Sequence, residues 1–359
     1  MHGRYQLEQP LGRGAMGEVW RARDTVRHVD VALKFLVVAR NGRHLEAIER
    51  FRLEARVAAQ LGQKTAGVVA VYDAGEDPAA GPYLVMEYVR GRSLRQWLQE
   101  RGPVLAAELA PLLRQLGEAL SVAHGLGVVH RDIKPSNILL VEGSDGHLRA
   151  KITDFGIAKW VGEERPADFR RRTADGVVLG TPAYLSPEHT CEGQAGPQLD
   201  MWSLAVLAHE ALTGQQPFPG RNLAAVLASI LVGARPPLTT VCPGAPPALE
   251  AWFARAFAIS PSERFPSVEA MIAAFTAAAG APVTPPAAAR GRRWRVAAAG
   301  VAVALGIALP AALLWERAGS DGPRRVNEVV SDAARAAARV GDAAQAMTAR
   351  LLERQGTTP

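Results

Sequence analysis

Glycines at positions 12, 14 and 17 are followed by Glu18-Val19-Trp20-Arg21-Ala22-Arg23, in which apolar and polar side chains alternate. A G-x-G-x-x-G segment that opens a helix belongs to dinucleotide-binding folds; one that opens a strand is a glycine turn between two strands. With no side chain on Cα to hold the backbone away, such a turn can lie flat over phosphates. Lys34 stands fifteen residues past Val19 in Val31-Ala32-Leu33-Lys34, a strand whose lysine can reach α- and β-phosphates. A Walker A loop would need GKS or GKT after the glycines, and neither is there. Residues 1–40 therefore read as a small antiparallel sheet carrying a phosphate-binding turn.

The lysine is conspicuous. Among 41 basic residues lysine occurs only at 34, 64, 134, 151 and 159, arginine taking the other places. This bias carries no function by itself, but it makes each lysine worth a question. Net charge is +6 and 48% of the residues are hydrophobic, which excludes a disordered or collagen-like chain. Cys191 and Cys242 lie far apart with no metal-ligand spacing, which excludes a zinc ribbon or disulfide scaffold and fits a reducing compartment. The N-terminus has no charged-then-apolar signal pattern, so the first part of the chain is expected to stay in the cytoplasm.

Residues 44–61 place Ile48, Phe51, Ala55, Ala58 and Leu61 at helical spacing. Strand-like runs follow at Val68–Tyr72 and Tyr83–Val89. From Ser93 onward helical patterns dominate, at Leu94–Glu100, Ala106–His124, Met201–Thr213, Leu223–Leu231, Leu249–Phe257 and Val268–Ala279. A mostly β portion followed by a mostly α portion predicts an α+β unit of two unequal lobes.

The second portion carries further motifs. His130-Arg131-Asp132-Ile133-Lys134-Pro135-Ser136-Asn137 precedes Asp154-Phe155-Gly156, and Ser186-Pro187-Glu188 closes the segment after it. Any one tripeptide arises by chance; this order and spacing does not. Over about residues 5–279 the sequence resembles the eukaryotic-like serine/threonine protein kinases of bacteria, with the glycine-rich loop, the strand lysine, HRD and DFG. The form GTPAYLSPE at 180–188 is similar to that of receptor-type members.

The resemblance implies a bilobal kinase domain over 1–279, with an N-lobe of about 1–86, a hinge at 87–92 and a C-lobe over 93–279. It implies ATP and Mg²⁺ as cofactors and protein Ser/Thr hydroxyls as substrates. Asp132 would orient or deprotonate the substrate hydroxyl, and Asn137 and Asp154 would hold Mg²⁺. Lys134 would neutralise the transferred phosphoryl group, with Thr181 bonded to the same loop. The glycine turn (Gly12, Arg13, Gly14, Ala15, Met16, Gly17, Glu18) would cover the phosphates. Lys34 needs an anionic anchor; Glu54 fits the family context, although Glu46 and Glu49 share its helix and spacing alone does not select it.

Adenine would lie against Leu11, Val19, Ala32 and Leu139 with Met86 as the bulky gate, the Glu87 carbonyl and Val89 N–H meeting its edge. These apolar residues read equally well as core. His130 is expected to pack structurally, Asp200 to hold the catalytic-loop backbone, and Arg264 to pair with Glu188. Ala205 stands where the family usually has glycine. Intact Lys34, Asp132 and Asp154 argue against a silent kinase-fold scaffold. The long 154–188 segment argues against a small-molecule kinase, because it builds a shelf for a peptide. Within it, Thr173 after three arginines is the expected autophosphorylation site, pairing with Arg131.

Beyond the kinase-like portion, residues 280–295 form a Pro/Ala-rich and then basic linker ending in RGRRWR. Val296–Trp315 is a run of 20 residues without a charge, the length needed to cross a hydrocarbon core of ~30 Å. The arginine collar and the flanking Trp294 and Trp315 suit a single-pass span in the cell (inner) membrane, kinase domain inside. Pro310 is tolerated in such a helix. The tail, 316–359, has a heptad seam through Val326, Val330, Ala333, Ala337, Val340, Ala344, Met347 and Leu351. Much of the seam is alanine, so it suits a lone amphipathic or partly disordered stalk nearly as well as a coiled coil. Membrane tethering shifts the expectation to a weak helical homodimer through 326–351. The expected partners are thus protein substrates, the bilayer and a second copy, with no nucleic acid.

Overall fold

The computed structural model describes residues 3–14, 17–36, 55–78, 80–143, 145–155, 182–190 and 196–280. Five strands build the first lobe: β1 (Tyr5–Gly14), β2 (Gly17–Asp24), β3 (Val29–Leu36), β4 (Val71–Asp77) and β5 (Gly81–Glu87). They lie antiparallel in the order β1-β2-β3-β5-β4. Successive residues of a strand face opposite sides, and here both sides are filled. Val31 and Leu33 of β3 pack with Tyr5, Ala22, Tyr83 and Val85 on one face. Ala32 joins Leu84, Met86, Val69 and the helical Ala55 and Ala58 on the other. This is why Val31-Ala32-Leu33 reads as a continuous apolar run. The helix carrying Ala55 and Ala58, α1, covers residues 55–64; the expected part before 55 lies outside the described residues.

The expected strand Val68–Tyr72 is corrected: β4 begins at Val71. Residues 67–70 instead bridge two elements. Val69 N–H donates to the Ile152 carbonyl at 2.9 Å, Ile152 N–H to Gly67 at 2.8 Å, and Glu87 N–H to Ala70 at 2.8 Å. The strand expected over Tyr83–Val89 ends at Glu87, where the chain crosses to the second lobe.

The second lobe begins with a small sheet that the sequence patterns did not show, β6 (Arg92–Ser93), β7 (Ile138–Glu142) and β8 (Leu148–Ile152), in that order. Gly91 approaches it so closely that a Cβ there would sit 2.1 Å from the Leu140 carbonyl oxygen. Ser93 then caps α2 (Leu94–Arg101) in a reciprocal capping box with Gln96. The helices that follow are α3 (Ala106–Gly125), α4 (Pro187–Thr190), α5 (Pro197–Thr213), α6 (Leu223–Val232), α7 (Leu238–Val241), α8 (Ala248–Ala256) and α9 (Val268–Ala279).

Helix α5 is buried on nearly every side, as expected of a helix that is apolar all round. Ala205 lies inside it with no exposed surface. The Trp202 ring stacks on Phe218 at 5.4 Å and meets Phe257 edge-on at 5.2 Å. These elements belong to one compact unit, Met1–Pro219 with Arg235–Thr284; Gly220–Ala234, which contains α6, belongs to a second. No helix among the described residues is long and apolar enough to cross a membrane. Val296–Trp315 and the tail lie outside the described residues.

Candidate active site

The glycine turn joins β1 to β2, with Gly12 opposite Val19, Arg13 opposite Glu18 and Gly14 opposite Gly17. Gly17 has φ 134°, a conformation that side chains rarely adopt. A Cβ on Gly12 would meet nothing within 4 Å, so this turn faces open space. Arg13 and Glu18 pair at 3.2 Å on the exposed side. Ala15 and Met16 lie outside the described residues.

One residue pair on, Val19 faces Lys34 across the sheet. Lys34 is buried, 6% exposed, and its Nζ lies 2.6 Å from Asp154 Oδ1. The lysine thus finds a carboxylate from the other lobe, 120 residues away. Glu54, its expected anchor, lies outside the described residues, as do Thr181 and Thr173.

Asp132 sits in a loop made rigid by its own neighbours. Lys134 Nζ lies 2.7 Å from Asp132 Oδ2. Asn137, buried in the 3₁₀ turn Pro135–Asn137, donates through Nδ2 to both Oδ2 and the backbone oxygen of Asp132, each at 2.9 Å. Since Nδ2 is committed to Asp132, Oδ1 is the Asn137 atom suited to a cation. Asn137 is tied to Asp154 through the backbone, because Thr153 N–H donates to the Asn137 carbonyl at 2.9 Å. An amide oxygen and a carboxylate are hard donors that fit Mg²⁺ shared with phosphate. The donor set fits the metal.

Support for this loop comes from α5. Asp200 is fully buried and accepts the backbone N–H groups of His130 at 2.8 Å and Arg131 at 2.7 Å. Its Oδ2 also lies 2.8 Å from His124 Nε2. His124 was not singled out in the sequence. It sits in the last turn of α3 among apolar neighbours, and only packing reveals its partner.

His130 resembles a catalytic base in the sequence and is none here. Its Nε2 donates to the Thr153 carbonyl at 2.9 Å, so its Nδ1 is the acceptor for the Asp132 N–H at 3.1 Å. Burial pushes its pKa down, against the pull of Asp200, and the ring meets Phe155 edge-on at 4.6 Å. Arg131 and Asp154, with φ of 65° and 62°, hold left-handed backbone conformations. Such conformations cost of order 1–3 kcal/mol and persist where surrounding contacts enforce them.

The apolar wall is assembled from both lobes. Val19, Val89 and Leu139 pack against the cluster containing Ala32 and Met86, which face each other across β3 and β5. Leu11 is 44% exposed. Farther off, Arg264 holds Glu188 with two bonds of 2.7 and 2.8 Å. Burial, the largest single effect, raises the Glu188 pKa, but the Arg264 hydrogen bonds and charge, its own backbone N–H and Ser186 together leave the group below its ordinary value.

Residues 5–237 match the family described as protein kinase domain. The chain belongs to that family. It is 37% identical over 271 residues to the serine/threonine-protein kinase PknL of Mycobacterium bovis, covering 76% of this chain and 64% of PknL. To PknA of Mycobacterium tuberculosis it is 39% identical over 242 residues, 66% of this chain and 53% of PknA. To Pkn1 of Myxococcus xanthus it is 35% identical over 268 residues, 75% and 37% of the respective chains. The matched region thus spans less than two thirds of these relatives' own length.

Proposed function

We propose that this chain is a membrane-anchored, ATP-dependent serine/threonine protein kinase. The observation that carries the reading is the convergence of Lys34 and Asp154 at 2.6 Å beside the rigid Asp132–Asn137 loop. Adenine would fill the space walled by Val19, Ala32, Met86, Val89 and Leu139. Lys34, freed from Asp154 when nucleotide enters, would meet the α- and β-phosphates. Asn137 and Asp154 would hold Mg²⁺, which supplies charge neutralisation across the phosphates. Asp132 accepts the hydroxyl proton of the substrate Ser or Thr and aims its oxygen at the γ-phosphorus. Lys134, already beside Asp132, balances negative charge on the phosphoryl group in transit.

The test is ³²P transfer to a generic basic protein. Wild type should transfer; Lys34→Met, Asp132→Asn and Asp154→Asn should each lose about 100- to 1,000-fold, the usual cost of one such electrostatic contact. Near wild-type transfer by Asp132→Asn would refute the assignment. Activation belongs to the same reading: a neighbouring copy, gathered by the 326–351 seam, phosphorylates Thr173, whose phosphate pairs with Arg131. Cysteine at Val340 should crosslink between chains in membranes, and Val330→Asp with Val340→Asp should lower Thr173 phosphorylation seen by mass spectrometry.

A further inference from the structure

Lysine is rare in this chain, and Lys34 and Lys134 are taken up by the site. Lys64 is exposed at the end of α1, and Lys159 lies outside the described residues. Lys151 is different. It lies on β8 directly opposite Leu139 of β7, part of the apolar wall. Its Nζ reaches 2.7 Å from the Glu87 carboxylate, with the two side chains 22% and 25% exposed. Glu87 is the last residue of β5 before the crossing between lobes.

Glu87 is gripped from two more directions. Its carboxylate accepts the Ala70 N–H at 3.3 Å, and its own N–H donates to the Ala70 carbonyl at 2.8 Å. Ala70 in turn follows Gly67 and Val69, both bonded to Ile152, the residue after Lys151. A closed ring results: β8, the 67–70 segment, Glu87, and back through the lysine to β8. Asp154 stands three residues beyond Lys151. The ring therefore links the crossing segment, the Leu139 wall and the strand that leads into Asp154, the candidate Mg²⁺ carboxylate.

We infer that Lys151 is a positioning residue for the adenine edge, fixing the Glu87 carbonyl and Val89 N–H relative to Leu139 and Asp154. The inference rests on the ATP-site reading above. An ion pair this exposed stabilises a fold weakly, so its consequence is geometric. The N6 amino group of adenine donates to a carbonyl, whereas the O6 of guanine does not. A carbonyl free to shift loses both affinity and that discrimination.

Steady-state kinetics of the full chain in ATP and GTP test this. Lys151→Met should raise the KM for ATP about fivefold, equivalent to about 1 kcal/mol, with kcat and the KM for protein substrate within about twofold of wild type. The ATP-over-GTP preference should fall by about threefold or more. Glu87→Gln should act alike, the double variant should be no worse than either, and Glu87→Lys with Lys151→Glu should recover part of the loss. Lys151→Arg should keep the wild-type KM, and it carries the comparison with Glu87→Gln should Lys151→Met not fold. An unchanged KM for ATP with a lowered Tm would overturn the inference, leaving a purely structural ion pair. A wild-type protein that turns over no ATP would instead overturn the nucleotide reading itself.

Discussion

Asp200 holds Arg131 by its backbone: the carboxylate accepts the Arg131 N–H at 2.7 Å, and Arg131 stands at φ 65°. The same carboxylate takes the His130 N–H, so two successive peptide groups ahead of Asp132 are fixed by one buried side chain on α5. Asp200→Asn keeps the volume but loses the charge and one acceptor. A buried donor left without its partner costs about 1–3 kcal/mol, and a small shift of a reacting group costs up to about a hundredfold in rate. The variant should therefore lose kcat with little change in the KM for ATP. Thermal unfolding and single-turnover transfer would show it, and a wild-type kcat would mean that Asp132 is positioned by other contacts.

Arg264 is almost wholly buried, and Glu188 is its charge partner. Removing one member of a buried pair leaves an uncompensated charge and costs about 3–5 kcal/mol, whereas replacing both is often tolerated. Glu188→Gln should lower the urea midpoint strongly, and Glu188→Gln with Arg264→Met should recover part of it. Midpoints that simply add would show that the two side chains are not coupled.

His209 is buried in α5, and its Nε2 has no hydrogen-bond partner among the described residues. Its Nδ1 donates to the Gln215 carbonyl at 2.9 Å. Burial lowers its pKa, Arg235 adding to that effect while Gln215 and Glu250 oppose it. The unfolded chain takes up a proton at this residue as pH falls through about 6.5, and the folded chain does so only at lower pH. Stability should therefore rise with pH in this window and be lost as pH falls from 7 towards 5. His130 contributes in the same direction. His209→Asn keeps a donor for Gln215 and removes the titration, so its urea midpoint should depend less steeply on pH. An unchanged slope would remove His209 from this account.

The apolar run Val296–Trp315 should place the full chain in the membrane fraction, resistant to high salt and alkaline carbonate. A chain ending at residue 288, before the arginine collar, should remain in the supernatant and still transfer phosphate. Recovery of the full chain in the supernatant would rule out the span.

Glycines 12, 14 and 17 with the alternation at 18–23, and Lys34 on its strand, were legible because a strand pattern repeats within a few residues and a turn is local chemistry. The longer helices α2, α3, α5, α6, α8 and α9 were legible for the same reason, to within a few residues at their ends, whereas the four-residue α4 and α7 were not. The two-residue β6 carries no period to read. Val68–Ala70 looked like strand, yet its backbone groups bond to Ile152 and Glu87 from two other elements.

HRD, Asn137 and DFG announced a phosphoryl-transfer site through their order in the chain, which is information that a single sequence holds. The partners of these residues are another matter. Lys34 with Asp154, Asp200 with His130, Arg131 and His124, and Lys151 with Glu87 join positions 64 to 120 residues apart. The choice of partner is made by which strand of one lobe stacks over which loop of the other, and that packing is a property of the folded chain alone.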